Sequence, residues 1–597
     1  MPVKPDTDPY YRLRHSAAHV MAQAVLEIFP EGKIAIGPPI EDGFYYDFDL
    51  PRPLTPDDLK EIEQRMRRII AGRHPFVHRV VDPDEARSLF RDQPYKLELI
   101  EGLLHGQDEY GEQGESGAGT VISTYRHDTF EDLCRGPHLE HTGQIPPDAF
   151  KLMSVAGAYW RGDSNRPMLQ RIYGTAWNSK EELDAYLHRL EEAKRRDHRR
   201  IGKELGLFYF SDDIGPGLPL FTPKGEMLRH LMESYVREVQ TRYGYQHVWT
   251  GHIVRETLYK KSGHYEAYRE NMFPPMVEDE DHVYRLKPMN CPSHMTLYKE
   301  MGIHSYRDLP LRFAEFATLY RYEDRGTLTG LTRVRALTQD DCHIFCRPDQ
   351  IEEEFGLALR LIREVLETYR FTDYRVRLSL RGAGGKYIAD DEAWDLAENA
   401  LRAALDHYGV EYEEAPGEAA IYGPKADFLA RDVLGREWQL STIQVDFIQP
   451  RRLGLEYIAE DGQPRTPVVL HRAVTGSTER FLGVLIEHYA GAFPLWLAPV
   501  QAIVIPISDE RHSAYATEVG RQLTAAGLRV EVNLSKDRMQ AKIRQAQLQK
   551  IPYMLIIGDR EQHTGAVAVR TRSGEDLGAM PVAAFIERAR AEIEAKA

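Results

Sequence analysis

Two prolines, Pro494 and Pro499, bracket the sharpest change of texture along this chain. After Val500, short apolar runs alternate with amphipathic stretches. Gln501–Ile505 precedes a helix predicted near 511–526; Leu528–Leu534, a basic helix near 538–549 and Tyr553–Ile557 follow. That order specifies a small α/β domain with a core of its own. No glycine-rich loop follows its first strand, which argues against a dinucleotide site there.

Two earlier shifts divide the rest. From Pro9 to about Ser179, helix-like text mixes with strand-like runs such as Gly43–Phe48, interrupted by Gly111–Gly119, which reads as a flexible surface insertion. A charged helical stretch, Ser179 to Gly202, contains the basic run Lys194–Arg200, read as a solvated linker helix or as a nucleic-acid contact. The block from about Leu205 to Leu497 holds most of the chemically suggestive residues. A length of 597 residues, 42% of them hydrophobic, is enough for about four domains with buried cores.

Composition limits the function classes. No apolar run approaches the roughly 18 residues of a membrane span, and no signal core opens the chain. Four cysteines cannot staple a chain of this size, so a reducing, cytoplasmic setting is expected. The net charge of −16 argues against a general basic coat for nucleic acid. Its distribution is uneven: from Val500 to Ala597 there are 14 Lys and Arg against 12 Asp and Glu. The tail is thus the part least repelled by a polyanion.

Several groups could carry chemistry. His15 and His19 stand four apart in an amphipathic stretch, so a helix turns both to one face. Cys134 and His138 repeat the spacing downstream. The four could hold zinc, line a wet hydrolytic pocket, or be unrelated histidines packed against a sheet. In the central block Cys291, His343 and His471 sit far apart in sequence, and spacing alone does not single them out. Arginines say more. Leu311–Glu323 reads as a strand ending in Arg321-Tyr-Glu323, followed by a turn-rich loop to Arg333. Gly476–Arg480 reads as a strand-to-helix junction with arginine in the first turn. Guanidinium forks suit phosphate oxygens, and two such segments in order within one domain form a specific pattern.

These two arginine segments resemble the second and third signature motifs of class II aminoacyl-tRNA synthetases. The wider match is to threonyl-tRNA synthetases: His15–His19, Asp132–His138, Ala156–Asp163, Thr338–Phe345 and Trp438–Phe447 all resemble that family's words. The resemblance runs from about His15 to the C-terminus. It implies an α+β multidomain fold with an editing domain over 1–178, a helical linker over 179–204, a catalytic domain with an antiparallel sheet over 205–498, and an anticodon-binding α/β domain over 499–597. It implies ligation of L-threonine to tRNA(Thr) through threonyl-adenylate, with ATP and Mg²⁺, by a homodimer.

By the same resemblance, Cys291, His343 and His471 would hold one zinc ion per chain, and Asp341, Gln339, Tyr422 and Gln444 would complete the threonine pocket. Arg321, Glu323, Arg333, Gln439 and Arg480 would hold ATP. Serine differs from threonine by one methyl, worth only about 1–3 kcal/mol of discrimination, so a second, hydrolytic site is expected. His15, His19, Tyr46, Lys96, Asp132, Cys134 and His138 would form it, working through water without metal as in this family, or around a zinc ion as a similar His/His/Cys/His set does in the related editing domain of alanyl-tRNA synthetases. Glu561 and Arg570 would read anticodon bases.

The pattern also departs from the family. Only 14 residues precede His15, so the small ubiquitin-like domain common in the family is expected to be missing. Ala336-Leu337 stands where Gly-Phe is usual, removing an aromatic expected against adenine. Ser293 replaces a glycine, and the first motif's proline is replaced near Thr250-Gly251. Two other readings follow from these residues: a non-catalytic RNA-binding paralogue, and a zinc hydrolase with another substrate, which would leave the arginine motifs unexplained.

Overall fold

The computed structural model describes residues 8–105, 121–163, 165–382 and 387–596. The predicted insertion Gly111–Gly119 lies outside the described residues. Two compact units are present, Met1–Glu191 and Glu192–Ala597.

In the first unit the helix Tyr11–Ile28 is buried over most of its length, from Leu13 to Val25. It packs on an antiparallel sheet of Lys33–Ile34, Gly43–Asp49, Met168–Ala176 and Phe150–Tyr159. A second helix, Pro56–Ala71, covers it. Thr55 and Asp58 form a reciprocal capping box at its start, with Pro56 supplying a preset φ. Its buried residues Ile62, Met66, Ile69 and Ile70 recur at helical spacing, which fixes the inward face. A smaller antiparallel sheet of Val77–Val80, Ser123–His127 and Phe130–Leu133 brings Asp132 and Cys134 towards the first helix.

The second unit is built on an eight-stranded sheet. Its order is Gln246–His247, Leu311–Tyr320, Ala336–Cys346, Val468–Ala473, Glu437–Asp446, Lys425–Arg431, Tyr374–Leu380, Tyr412–Pro416. Only the two outermost pairings are parallel. Ala336–Cys346 is buried over nearly all its residues, as a central strand covered on both faces must be. The helix Ile351–Thr368 closes one face, burying Phe355, Leu359, Ile362 and Leu366. Cys342 and Cys346 belong to this core. They are packing residues, which accounts for the two cysteines that no motif explained.

The tail forms the expected α/β layer: Val530–Val532, Ala502–Pro506 and Tyr553–Ile557 run parallel, joined by antiparallel Ala566–Thr571 and Asp576–Pro581. The last two strands and the helix Val582–Glu594 are additions to the sequence reading. Arg529 holds the proline-bracketed junction by donating to the carbonyls of Trp496 and Ala498.

The basic run corrects the picture of a solvated linker. It spans the end of the helix Lys180–Arg196 and a second helix, His198–Glu204. Arg196 donates to the His488 carbonyl, and His198 is 2% exposed. His198 Nδ1 lies 2.6 Å from Glu487, while its Nε2 accepts from the backbone N–H of Leu331. Arg196 and His198 are thus built into the second unit's packing, and a histidine with both ring nitrogens engaged is buried at little cost. Lys194, Arg195, Arg199 and Arg200 remain exposed.

Candidate active sites

One cavity of about 500 Å³ opens over the central sheet. Arg321, Glu323, Arg333, Gln339, Asp341, Tyr422, Gln439, Gln444, Arg480, Cys291, His343 and His471 all line it. Sheet register does the gathering. His343 pairs with His471 across adjacent antiparallel strands, and His471 pairs with Gln444 on the next. Cys291 arrives at the first turn of the helix Cys291–Glu300. The three offer donor atoms within 4.8 Å of one another.

Their surroundings suit a soft divalent metal. His343 Nε2 is buried with no hydrogen-bond partner among the described residues. Burial, followed by the neighbouring His471 and His294, drives the His343 pKa well down, so the ring is neutral and able to ligate. Burial, then the Asp341 and Asp446 charges, pushes the Cys291 thiol up, so a cation would be needed to draw out its thiolate. His471 donates to Asp446 at 2.9 Å, an arrangement that orients a metal-ligating imidazole. One thiolate-forming cysteine and two imidazoles, with open cavity beyond, are the donor set of a zinc centre with a free position.

Beside this cluster, Tyr422 stacks on His471 at 4.7 Å and donates to Gln444 at 2.7 Å. Asp341 is buried at the cavity wall, its pKa raised by desolvation. A carboxylate in that position waits for a cationic partner, such as an ammonium group.

The cavity's other end is cationic. Arg321 follows the strand Leu311–Tyr320 directly, its backbone N–H bound to Arg335 O. Arg333 pairs with Glu323 at 2.7 Å. Gly476, at φ 62°, turns the chain from the strand Val468–Ala473 into the helix Thr478–His488, which Ser477 caps. Arg480 thereby enters the cavity from the first turn, its Nε donating to Thr332 O at 3.2 Å. Burial, and then repulsion from Arg321 and Arg333, lowers the Arg480 pKa. Arg321 Nε is buried without an acceptor among the described residues. Three guanidiniums set against one another with an unsatisfied donor form a site for phosphate oxygens.

Leu337, the departure at this wall, packs with Leu319 and Val334. Tyr268 and Lys425 also line the cavity, and sequence reasoning passed over both. Gln439 is spent on Asp427, to which it donates at 2.8 Å.

The first unit has its own cavity, about 260 Å³, lined by His15, His19, Lys96, Asp132 and Cys134 among others. The predicted helix places His15 and His19 on one face, their rings 5.2 Å apart, and His138 stacks on His15 at 4.1 Å. Cys134 Sγ lies 3.4 Å from His15 Nε2 and 3.3 Å from His138 Nε2. His15 donates through Nδ1 to Pro137 O, leaving Nε2 to face the sulfur. Lys96 Nζ is 2.6 Å from Asp132 Oδ1, and Tyr46 donates to Oδ2. Desolvation lowers His15 to about 4 and drives His19 and His138 well down, so all three are neutral bases near pH 7. The four donors lie within reach of one ion, so this geometry admits both a metal and a water. Glu561 and Arg570 are less gathered. Glu561 caps its own helix through Gly558 N–H, and Arg570 faces Asp576 at 3.4 Å.

Three family models match: the tRNA synthetase class II core domain (G, H, P, S and T) over 275–489, the anticodon binding domain over 501–592, and the threonyl and alanyl tRNA synthetase second additional domain over 122–173. The chain is 62% identical to a threonine–tRNA ligase of Rubrobacter xylanophilus over 589 residues, covering 98% of this chain and 89% of that one. The chain belongs to the threonine–tRNA ligase family. A Thermus thermophilus threonine–tRNA ligase is 50% identical, with the same coverage of both chains. The solved RNA binding domain of threonyl-tRNA synthetase from Cryptosporidium parvum is 39% identical with a TM-score of 0.63, over 66% of this chain and 98% of that one. In this chain the class II core match spans Arg321, Arg333 and Arg480, and the additional-domain match spans Cys134 and His138.

Proposed function

We propose that the protein joins L-threonine to tRNA(Thr) in two steps and clears seryl-tRNA(Thr) at its N-terminal cavity. The single observation that carries the reading is the lining of one cavity by a three-guanidinium end and a Cys/His/His end. Family membership supplies the substrates.

Cys291, His343 and His471 are the residues that would hold zinc, which when bound would supply a Lewis acid for recognising the polar groups of threonine. Asp341 neutralises the ammonium. Tyr422 and Gln444, locked to each other, shape the wall around the side chain. Arg321, Arg333 and Arg480 grip the phosphates of Mg·ATP, and Glu323, held by Arg333, reaches the base. The threonine carboxylate then attacks the α-phosphorus in line. The guanidiniums stabilise the charge that develops, and no side chain need act as nucleophile. The terminal ribose hydroxyl of the tRNA takes the acyl group from the adenylate.

In the editing pocket, Lys96 and Tyr46 hold Asp132, and Asp132 faces His19 across 3.7 Å. Neutral His15 and His138 beside Cys134 can accept a proton from water at the ester carbon. The protein acts as a cytoplasmic homodimer, with the tail and the exposed basic residues near Lys194 facing the tRNA. Among the described residues no helix is long and apolar enough to cross a membrane. Charging of tRNA(Thr) transcript with labelled threonine tests the reading. Retained tRNA binding without charging would favour the RNA-binding paralogue instead.

A further inference from the structure

The zinc candidate His343 has a partner beneath it that no motif singled out. Its Nδ1 lies 2.8 Å from Nδ1 of His294, a fully buried residue on the helix that begins at Cys291. Two ring nitrogens this close share one proton, so one ring donates and the other accepts. The direction is set further in. His294 Nε2 stands 3.0 Å from Glu315 Oε2. Glu315 accepts from the Thr250 backbone N–H at 2.9 Å and from the Asn290 amide at 3.0 Å, with Lys287 Nζ 3.8 Å away.

A competing assignment exists. The Asn290 amide nitrogen is also 3.0 Å from His294 Nε2 and could donate to a lone pair there. That arrangement would set a bare ring nitrogen against a carboxylate oxygen at 3.0 Å, two lone pairs facing each other in a buried site. Asn290 has a better acceptor in Glu315, and its own oxygen is fixed by Lys287 at 2.9 Å. The proton of His294 therefore sits on Nε2, pointing at Glu315. Its Nδ1 is then the acceptor, and His343 carries its proton on Nδ1. The atom left bare is His343 Nε2, the nitrogen that is buried with no partner among the described residues.

We infer that His294, held by Glu315, is a positioning residue that fixes His343 in the one tautomer able to ligate a metal through Nε2. The inference rests on the zinc reading above and deepens it. The carboxylate–imidazole–imidazole chain also makes the ligand more basic, as an anion behind a ligating histidine does. Thr250 becomes intelligible as well: its backbone N–H and its hydroxyl, 2.9 Å from Glu315 Oε2, hold the carboxylate beside the Gly251 departure.

The test is zinc affinity in the full-length protein, measured by competition with a chromogenic chelator, with ATP binding and thermal melting recorded alongside. His294→Leu should weaken zinc binding by about 10–100-fold while ATP affinity stays within about twofold. His294→Asn, whose amide oxygen falls near the position of Nδ1 and can accept from His343, should recover most of that loss. If wild-type protein holds one zinc and His294→Leu holds it as tightly, the positioning role is wrong and the zinc site stands. Equal loss in the Leu and Asn variants, with both folded, would overturn the tautomer account. A wild-type protein that takes up no zinc would overturn the metal reading and this inference with it.

Discussion

His343 and His471 face each other as register partners across two antiparallel strands, their rings 4.7 Å apart. The pairing matters because 127 intervening residues separate them in sequence, and only the sheet brings both to the mouth of one cavity. Cys291 completes the group from a helix start. A slip of one residue in either strand would turn one histidine to the opposite face and dissolve the site.

Zinc removal should therefore separate the two halves of the cavity. Stripping the protein with a chelator, or replacing His471 with Ala, is expected to abolish threonine-dependent adenylate formation while ATP binding persists. Isothermal titration with a non-hydrolysable ATP analogue, run beside the activity assay, checks this. Equal loss of ATP binding would mean the substitution has collapsed the whole site.

At the other end, Arg321→Ala and Arg480→Ala each remove a guanidinium that lines the cavity. Each should lower the turnover of adenylate formation by about 10²–10³-fold, as removing one preorganised donor does elsewhere. Pre-steady-state adenylate formation reads the effect directly. A change confined to the threonine KM would place these arginines outside the phosphate site.

How much of this was legible in the sequence depends on the range of the interactions. Arg321-Tyr-Glu323 and Gly476–Arg480 were readable because each motif is local: a strand end, and a capped helix start with Gly476 at positive φ. The helix carrying His15 and His19 was readable for the same reason, since a four-residue step needs only helical geometry. The Cys/His/His group was not derivable from spacing, because strand register assembles it. His294, Glu315 and Asp446 were invisible for a related reason: their work is done through ring nitrogens and carboxylates buried behind the ligands. The Lys194–Arg200 run misled because charge alone suggested solvent. His198 and Arg196 instead find polar partners on Glu487, Leu331 and His488.

The N-terminal cavity makes its own prediction. Cys134→Ala removes a sulfur 3.3–3.4 Å from two neutral imidazoles and should let seryl-tRNA(Thr) accumulate while threonine charging continues. Deacylation of preformed seryl-tRNA(Thr) is the assay. Wild-type rates in the variant would remove Cys134 from the hydrolytic site.

Acid should weaken the first unit. In the unfolded chain a histidine titrates near 6.5, but desolvation lowers His15 to about 4 and His127 to about 3 in the fold. Below about pH 6.5 the unfolded state binds protons that the folded state refuses, so stability is full above that pH and falls as pH drops towards 4. His15 alone accounts for something on the order of 3 kcal/mol across that window. Thermal melting of the full chain between pH 7.5 and 4.5 should show the decline. His127→Phe, which removes one such group with no hydrogen-bond partner among the described residues, should flatten it. An unchanged slope would mean His127 is not held neutral by burial.

The central claim is that the two ends of one cavity join threonine to the α-phosphate of ATP. Amino-acid-dependent exchange of pyrophosphate into ATP tests it most directly, using the zinc-loaded protein with threonine, serine and valine in parallel. Robust exchange with threonine, weaker exchange with serine and none with valine is the predicted result. No exchange with threonine in the presence of zinc would contradict it.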